Sequence, residues 1–286
     1  TMGPKFNYSE FEMDTKRKPV DQHAMMADKA WQKYQEIKPA LVFLGDDAAV
    51  KFLGQRFGNT QTPVVFLGVN NGLRNYFDKR PVPLNISGVL ERPMLKKSLV
   101  YLNQLNPNIK KVAVLFDSDL TAQITKEELF GSHETIRLPW GGSQEVVVDV
   151  KLIKDFDTWK STVLTLNKGY EAAIIGLYQT LVDKKGTPVN PEEVIAWTSQ
   201  NSPVPPFAFW DFAVGKNKTI GGLVLSGKLQ GEQAGAMALQ RLQDPTKIAQ
   251  QIVVGEQGSF VFSKTQMKKW NIVLPTNLAS EAVLVD

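Results

Sequence analysis

Short apolar runs alternate with helix-length segments along most of this chain, and the runs end on polar residues. Residues 40–44 and 63–69 are the first pair, each rich in Val, Leu and Phe. The first stops at Gly45-Asp46-Asp47 and the second at Asn70-Asn71-Gly72. Between them, residues 47–57 have helix length and close on Gly58-Asn59. Strand, helix and strand together take about thirty residues, the size of a βαβ crossover. Apolar runs without polar alternation predict strands covered on both faces, as in a parallel sheet. Ligands of such sheets lie outside the carboxyl ends of the strands. That end here carries Asp46, Asp47, Asn70 and Asn71.

The same pattern recurs on both sides. Residues 6–13 alternate apolar and polar like a strand. Residues 22–37 predict a helix with Met25, Met26, Ala30, Trp31, Tyr34 and Ile37 on one broad face, ended by Pro39. A turn-rich stretch, 73–87, leads to a short strand at 88–90. From Arg92 the pattern restarts with a helix at 93–105 and a strand at 111–116 that closes on Asp117-Ser118-Asp119. A helix at 121–129, a strand at 145–150 and a helix near 156–166 follow. The strand at 172–177 then ends at Tyr178-Gln179, and after a helix at 191–199 the strand at 207–209 ends at Trp210-Asp211. The remainder reads as a strand at 220–226, a small-residue helix at 231–242, strands at 251–254 and 260–262, a helix at 264–270 and an edge segment at 272–275. Two successive βα series predict an α/β protein with two parallel sheets, and hence two lobes.

Composition narrows the picture. The 286 residues suffice for two cores. At 43% hydrophobic and 22% charged residues the chain is ordinary for a globular protein. A formal net charge of +4 is spread along it, the densest cluster being Lys16-Arg17-Lys18 beside Asp14. That is no concentrated basic face, which argues against a nucleic-acid partner. No stretch approaches the ~20 apolar residues of a membrane-spanning helix. The absence of cysteine removes disulfides, thiolate catalysis and cysteine metal sites. His23 and His133 lie in unrelated segments without metal-ligand spacing and read as surface residues, so no metal or cofactor is expected. The first residues carry no secretory signal pattern.

The candidate chemistry sits at the strand ends. Asp46-Asp47 could do acid–base work or hold a cation, but Asp47 is also placed to cap the following helix. Asn70-Asn71-Gly72 is either a turn or a set of amide donors and acceptors. Asp117, Ser118 and Thr121 precede a helix, as caps or as the border of an anion-accepting helix start. Tyr178 and Trp210 are core aromatics or the flat walls of a small-molecule site. No G-x-S-x-G elbow is present and nothing assembles a nucleophile, a base and an orienter, so binding is the better reading and no catalytic residue is assigned.

Taken in order, several segments resemble the substrate-binding proteins of ABC transporters with the type 1 periplasmic-binding fold, in the branch related to aromatic amino-acid binders. They are FEMDTKRKP (11–19), PALVFLGDDAAVKFLG (39–54), TPVVFLGVNN (62–71), ISGVLERP (86–93), KKVAVLFD (110–117), PPFAFWDFAVGKNKTIGGLVLSGKLQGEQAG (205–235) and WNIVLP (270–275). The resemblance implies two Rossmann-like lobes, residues 1–88 with 222–252 and 89–221 with 253–286, joined by three crossings near 87–90, 221–224 and 251–254. The first strand and helix usual in the family are missing from this sequence. A small-molecule solute, an amino acid with an aromatic one favoured, would bind between lobes that close by a hinge. Asp46, Asp47, Asn70 and Asn71 would contact it from one lobe. From the other would come Asp117, Ser118, Thr121, Tyr178, Trp210 and Asp211. A ligand carboxylate would sit near Ser118 and Thr121, and an ammonium near Asp46 or Asp211. The resemblance further implies a monomer working with a transporter permease, in a periplasmic or other extracytoplasmic setting. Many relatives carry a small hydroxyl residue where this chain has Asp46-Asp47, so the ligand's identity does not carry over. A ligand-sensing domain of a signalling system and an α/β hydrolase-type enzyme are the competing readings.

Overall fold

The computed structural model describes residues 6–141, 144–243, 250–255 and 258–286. The chain divides into two units, Thr1–Arg92 with Gly227–Glu256 and Pro93–Ser226 with Gln257–Asp286. In chain order the first unit opens with α1 (His23–Ile37), β1 (Val42–Gly45), α2 (Asp46–Gly58), β2 (Val64–Val69) and β3 (Ile86–Leu90). The second unit contributes α3 (Leu95–Leu105), β4 (Lys111–Asp117), α4 (Leu120–Phe130), β5 (Thr135–Gly141), β6 (Gln144–Ile153) and α5 (Phe156–Leu164). It continues through β7 (Ala172–Ile175), α6 (Pro191–Asn201), β8 (Pro206–Ala208) and β9 (Gly221–Val224). The chain returns to the first unit for α7 (Gly227–Gln243) and β10 (Ile252–Val254). It finishes in the second with β11 (Ser259–Ser263), α8 (Lys264–Trp270), α9 (Thr276–Glu281) and β12 (Val283–Val285).

In the first unit the sheet order is β1-β2-β3-β10, with every pair parallel. Successive side chains of a strand point to opposite faces. Val64 and Phe66 therefore meet Val50, Leu53 and Phe57 of α2 on one face. Val65 and Val89 meet Ala234, Met237 and Ala238 of α7 on the other. Cover on both faces is why these strands read as uninterrupted apolar runs. The small residues of α7 let that helix lie close to the sheet.

The second unit repeats the plan. Its main sheet runs β5-β6-β4-β7-β8, parallel except for β5 against β6. Val112, Val114, Phe116 and Ile174 face Leu95, Leu99 and Leu102 of α3. Ala113, Leu115 and Ile175 face Phe156, Trp159 and Val163 of α5 and Val194 and Ile195 of α6. Asp155 caps α5 by accepting from the Thr158 N–H at 2.8 Å, and Asn190 caps α6 from the Glu192 N–H at 3.0 Å with Pro191 following. A smaller sheet, β12-β11-β9, completes this unit.

Two expectations from the sequence are corrected, and further elements are added. Residues 6–13 form no strand: they have no ladder partner among the described residues and are mostly exposed. The Lys33 ammonium instead holds the Glu10 carbonyl at 2.6 Å. Alternation alone gives an extended chain, and a strand needs a neighbour. His23 is buried rather than a surface residue, its Nε2 hydrogen-bonded to the Lys18 carbonyl at 2.9 Å. Beyond the expected elements lies β5, where Ile136, Leu138 and Trp140 alternate with polar positions. Pro139 breaks the look of a strand but is tolerated because β5 is a sheet edge. The segment after 272–275 likewise continues into α9 and β12.

Leu115, fully buried at the centre of β4, should be costly to truncate. Leu115→Ala is expected to lower unfolding free energy in urea by about 3 kcal/mol. A loss below about 1 kcal/mol would contradict the packing described.

Candidate functional site

In the first unit the carboxyl end of the sheet is built around one buried carboxylate. Gly68, at φ +67°, makes a bulge in β2 where its register against β3 shifts between Phe66 and Val69. Asp46 also takes a left-handed conformation, at φ +75°, which aspartate tolerates better than most residues. Its Oδ1 accepts from the next N–H at 2.6 Å and its Oδ2 pairs with the Lys16 ammonium at 2.9 Å. Asp47 is fully buried. Its carboxylate accepts from the N–H groups of Asn70 at 3.0 Å and Asn71 at 3.0 Å and from the Tyr76 hydroxyl at 2.7 Å. Gly45 occupies the N-cap of α2, so Asp47 does not cap its helix; it reaches across to hold the loop after β2.

A second layer of contacts extends from Asn70, which is itself buried. Its Nδ2 donates to Glu91 at 3.1 Å, and the other Glu91 oxygen accepts from the Gln230 side-chain amide at 2.6 Å. The Gln230 side-chain carbonyl in turn accepts from the Gly68 N–H at 3.1 Å. Arg92 donates to the carbonyls of Asn70 at 2.5 Å and Glu91 at 2.7 Å. Among the described residues Asn70 Oδ1 is a buried acceptor without a hydrogen-bond partner. Asn71 Oδ1 accepts from Asn75 at 2.6 Å. Burial pushes the Asp47 carboxyl above its ordinary range, opposed by the Tyr76 hydroxyl and the two backbone donors. The Tyr76 phenol is pushed up by burial and then by the negative charge of Asp47.

In the second unit another buried carboxylate stands at the matching place. Asp117 ends β4, and its N–H donates to the Leu177 carbonyl at 2.6 Å. Its side chain accepts from the Thr180 N–H at 3.1 Å and the Asp119 N–H at 3.3 Å. Burial pushes this carboxyl up too, against the pull of those donors. Ser118 follows, half-buried, its carbonyl accepting from the Gln123 side chain at 2.8 Å. Thr121 is buried in the first turn of α4. Tyr178 and Trp210 are both buried, Tyr178 among the residues facing α5 and α6 and Trp210 among those facing α3. Half-buried Asp211 donates its N–H to the Leu225 carbonyl at 3.0 Å. Tyr178 meets Phe212 in a T-shaped arrangement, and Trp210 lies nearly parallel to it.

Of the strand-end residues picked from the sequence, Asp46, Asp47, Asn70 and Asn71 are joined by hydrogen bonds in the first unit. In the second, Tyr178 and Trp210 are brought together through Phe212, while Ser118, Thr121 and Asp211 bond through their backbone groups to their own surroundings. Sequence reasoning missed Tyr76, Glu91, Arg92, Gln230 and Phe212. Glu91 and Arg92 directly follow the short apolar run of β3, and that position was the available signal. Among the described residues no group of three or more acidic or histidine side chains is placed to hold a metal ion.

No family model matches the chain, and no curated protein does. Solved structures do. An ABC domain from Streptococcus pneumoniae in complex with L-Trp aligns at 16% identity and a TM-score of 0.66, over 92% of this chain and 86% of that one. A conserved domain protein from Vibrio cholerae aligns at 13% identity and 0.65, over 92% and 84%. The ligand-free, open structure of a substrate-binding protein with adhesive properties from Clostridium difficile aligns at 14% identity and 0.61, over 96% and 84%. The chain has the type 1 periplasmic-binding fold. Its likeness to substrate-binding proteins of ABC transporters is one of architecture at these identities, and it covers both units.

Two outcomes follow from the buried carboxylates. Tyr76→Phe keeps the packing and removes one donor to Asp47, so it should cost about 2 kcal/mol in urea unfolding; no loss would remove Tyr76 from the cluster. An acid with a raised folded pKa binds more protons folded than unfolded, so its contribution to stability is greatest in acid. That contribution falls as pH rises from 3.8 through the raised value. The amide of Asp117→Asn does not titrate, so wild-type stability relative to this variant should decline toward neutral pH. The opposite slope would show that Asp117 is held below its ordinary range.

Proposed function

We propose that this chain is an extracytoplasmic solute-binding protein of an ABC transporter that captures an amino acid, with an aromatic one favoured. The observation that carries the reading is the position of its polar and aromatic side chains. Both units gather them at the carboxyl ends of parallel strands, where open α/β sheets take ligands. The fold shared with a protein crystallised with L-Trp supports the solute class. In this reading Asp46, Asn70 and Asn71 serve the ligand from one unit, and Ser118, Thr121, Tyr178, Trp210 and Asp211 from the other. Asp47 and Asp117 act by fixing the loops that carry them. Asp46 faces a competitor for any ligand ammonium in Lys16. The partner is a transporter permease, and the chain works as a monomer. Among the described residues no helix is long and apolar enough to cross a membrane.

The test is a thermal-shift series of the purified chain against amino acids, nucleosides, sugars and small carboxylates. L-Tryptophan or another aromatic amino acid is expected to raise the melting temperature with concentration, equivalent to about 2.7 kcal/mol at a hundredfold excess over Kd. A response to sugars or nucleosides alone would move the solute class. A flat response from a cooperatively unfolding sample would sink the receptor reading.

A further inference from the structure

Phe212 is the exposed member of an otherwise buried aromatic series. Phe116 of β4 stacks on Phe209, with ring centroids 6.3 Å apart and planes 18° from parallel. Trp210 meets the edges of both, at 6.4 and 6.0 Å. Phe212 lies nearly parallel to Trp210, at 6.1 Å and 17°, and edge-on to Tyr178 at 6.0 Å. Trp210 is 3% exposed and Tyr178 2%, whereas Phe212 is 38% exposed.

The backbone under Phe212 is held as firmly as its ring. The Lys218 ammonium donates to the Phe212 carbonyl at 2.9 Å and also pairs with Glu192 at 2.9 Å. On one side the Asp211 N–H donates to Leu225. On the other, buried Ala213 accepts from both the N–H and the hydroxyl of Thr219. β4, β7 and β8 are parallel neighbours; Asp117 ends the first, and Tyr178 and Phe212 follow the carboxyl ends of the other two. Phe212 therefore stands at the ligand-facing end of the sheet. An exposed phenyl ring on a flexible loop would lose freedom on contact with a solute, but this one is already fixed.

We infer that Phe212 determines specificity in this site, its open face taking the flat apolar ring of the solute. The inference rests on the solute-receptor reading above and adds to it the residue that selects an aromatic over an aliphatic side chain. Offset stacking between rings contributes beyond the apolar area it covers. Leucine at this position would keep the apolar volume but lose the ring.

The experiment is calorimetric titration of L-tryptophan and L-leucine into the whole chain and into Phe212→Leu, Phe212→Ala and Phe212→Tyr, with each variant's melting temperature measured alongside. Phe212→Leu and Phe212→Ala are expected to weaken L-tryptophan binding roughly tenfold. Phe212→Tyr should stay within about twofold, and any L-leucine binding should move far less. If Phe212→Ala unfolds, Phe212→Leu still decides the matter. Wild-type binding of L-tryptophan that Phe212→Leu leaves unchanged would overturn this inference and spare the receptor reading. Absence of L-tryptophan binding by the wild type would overturn both.

Discussion

A carboxylate taken out of water must find donors or lose its charge, and this chain places one such group at the carboxyl end of each main sheet. Asp47 and Asp117 come from different positions, one in the first turn of a helix and the other at the end of a strand. Each nevertheless gathers N–H groups from the loop that follows a neighbouring strand. Desolvation raises both pKa values and the donors pull back. A buried carboxylate of this kind tolerates little displacement of its donors. The loops held in this way, 70–71 and 177–180, are thereby fixed to the ends of their sheets.

The two units add different things to that common device. The first surrounds Asp47 with amides and charges, running from Gly68 through Gln230 and Glu91 to Asn70. Among the described residues it leaves Asn70 Oδ1 unpartnered, a polar deficit of the sort that costs about 1–3 kcal/mol. The second unit holds Asp117 by backbone donors and packs rings beside its strand, Phe116 meeting Phe209 and Trp210. There, Trp210 and Tyr178 are buried, and Phe212, which meets both, is the more exposed ring.

Much of this was legible in the sequence because the apolar runs stop abruptly. Asp46, Asp47, Asn70, Asn71, Asp117, Tyr178 and Trp210 announce themselves as the first polar or aromatic residues after such runs. Their roles were less visible. Asp47 looks like a helix cap, and only the folded chain shows its carboxylate turned toward Asn70 and Asn71. Gln230 was beyond reach, since its partner Gly68 lies 162 positions away and a small-residue helix offers no local sign of that contact. Tyr76 sits in a turn-rich stretch without periodicity, and Phe212 in a short turn past the strand. β5 was hidden by Pro139, and residues 6–13 showed alternation without a strand to pair with.

The central claim, that ligand recognition lies at the carboxyl ends of the parallel strands in both units, is tested most directly by amide resonances during an L-tryptophan titration. The account predicts shifts at residues 45–47, 70–72, 117–121, 177–180 and 209–213, with little change at the amino ends of the strands, near 61–64 and 109–112. Shifts concentrated at those amino ends would contradict it, as would shifts confined to one unit.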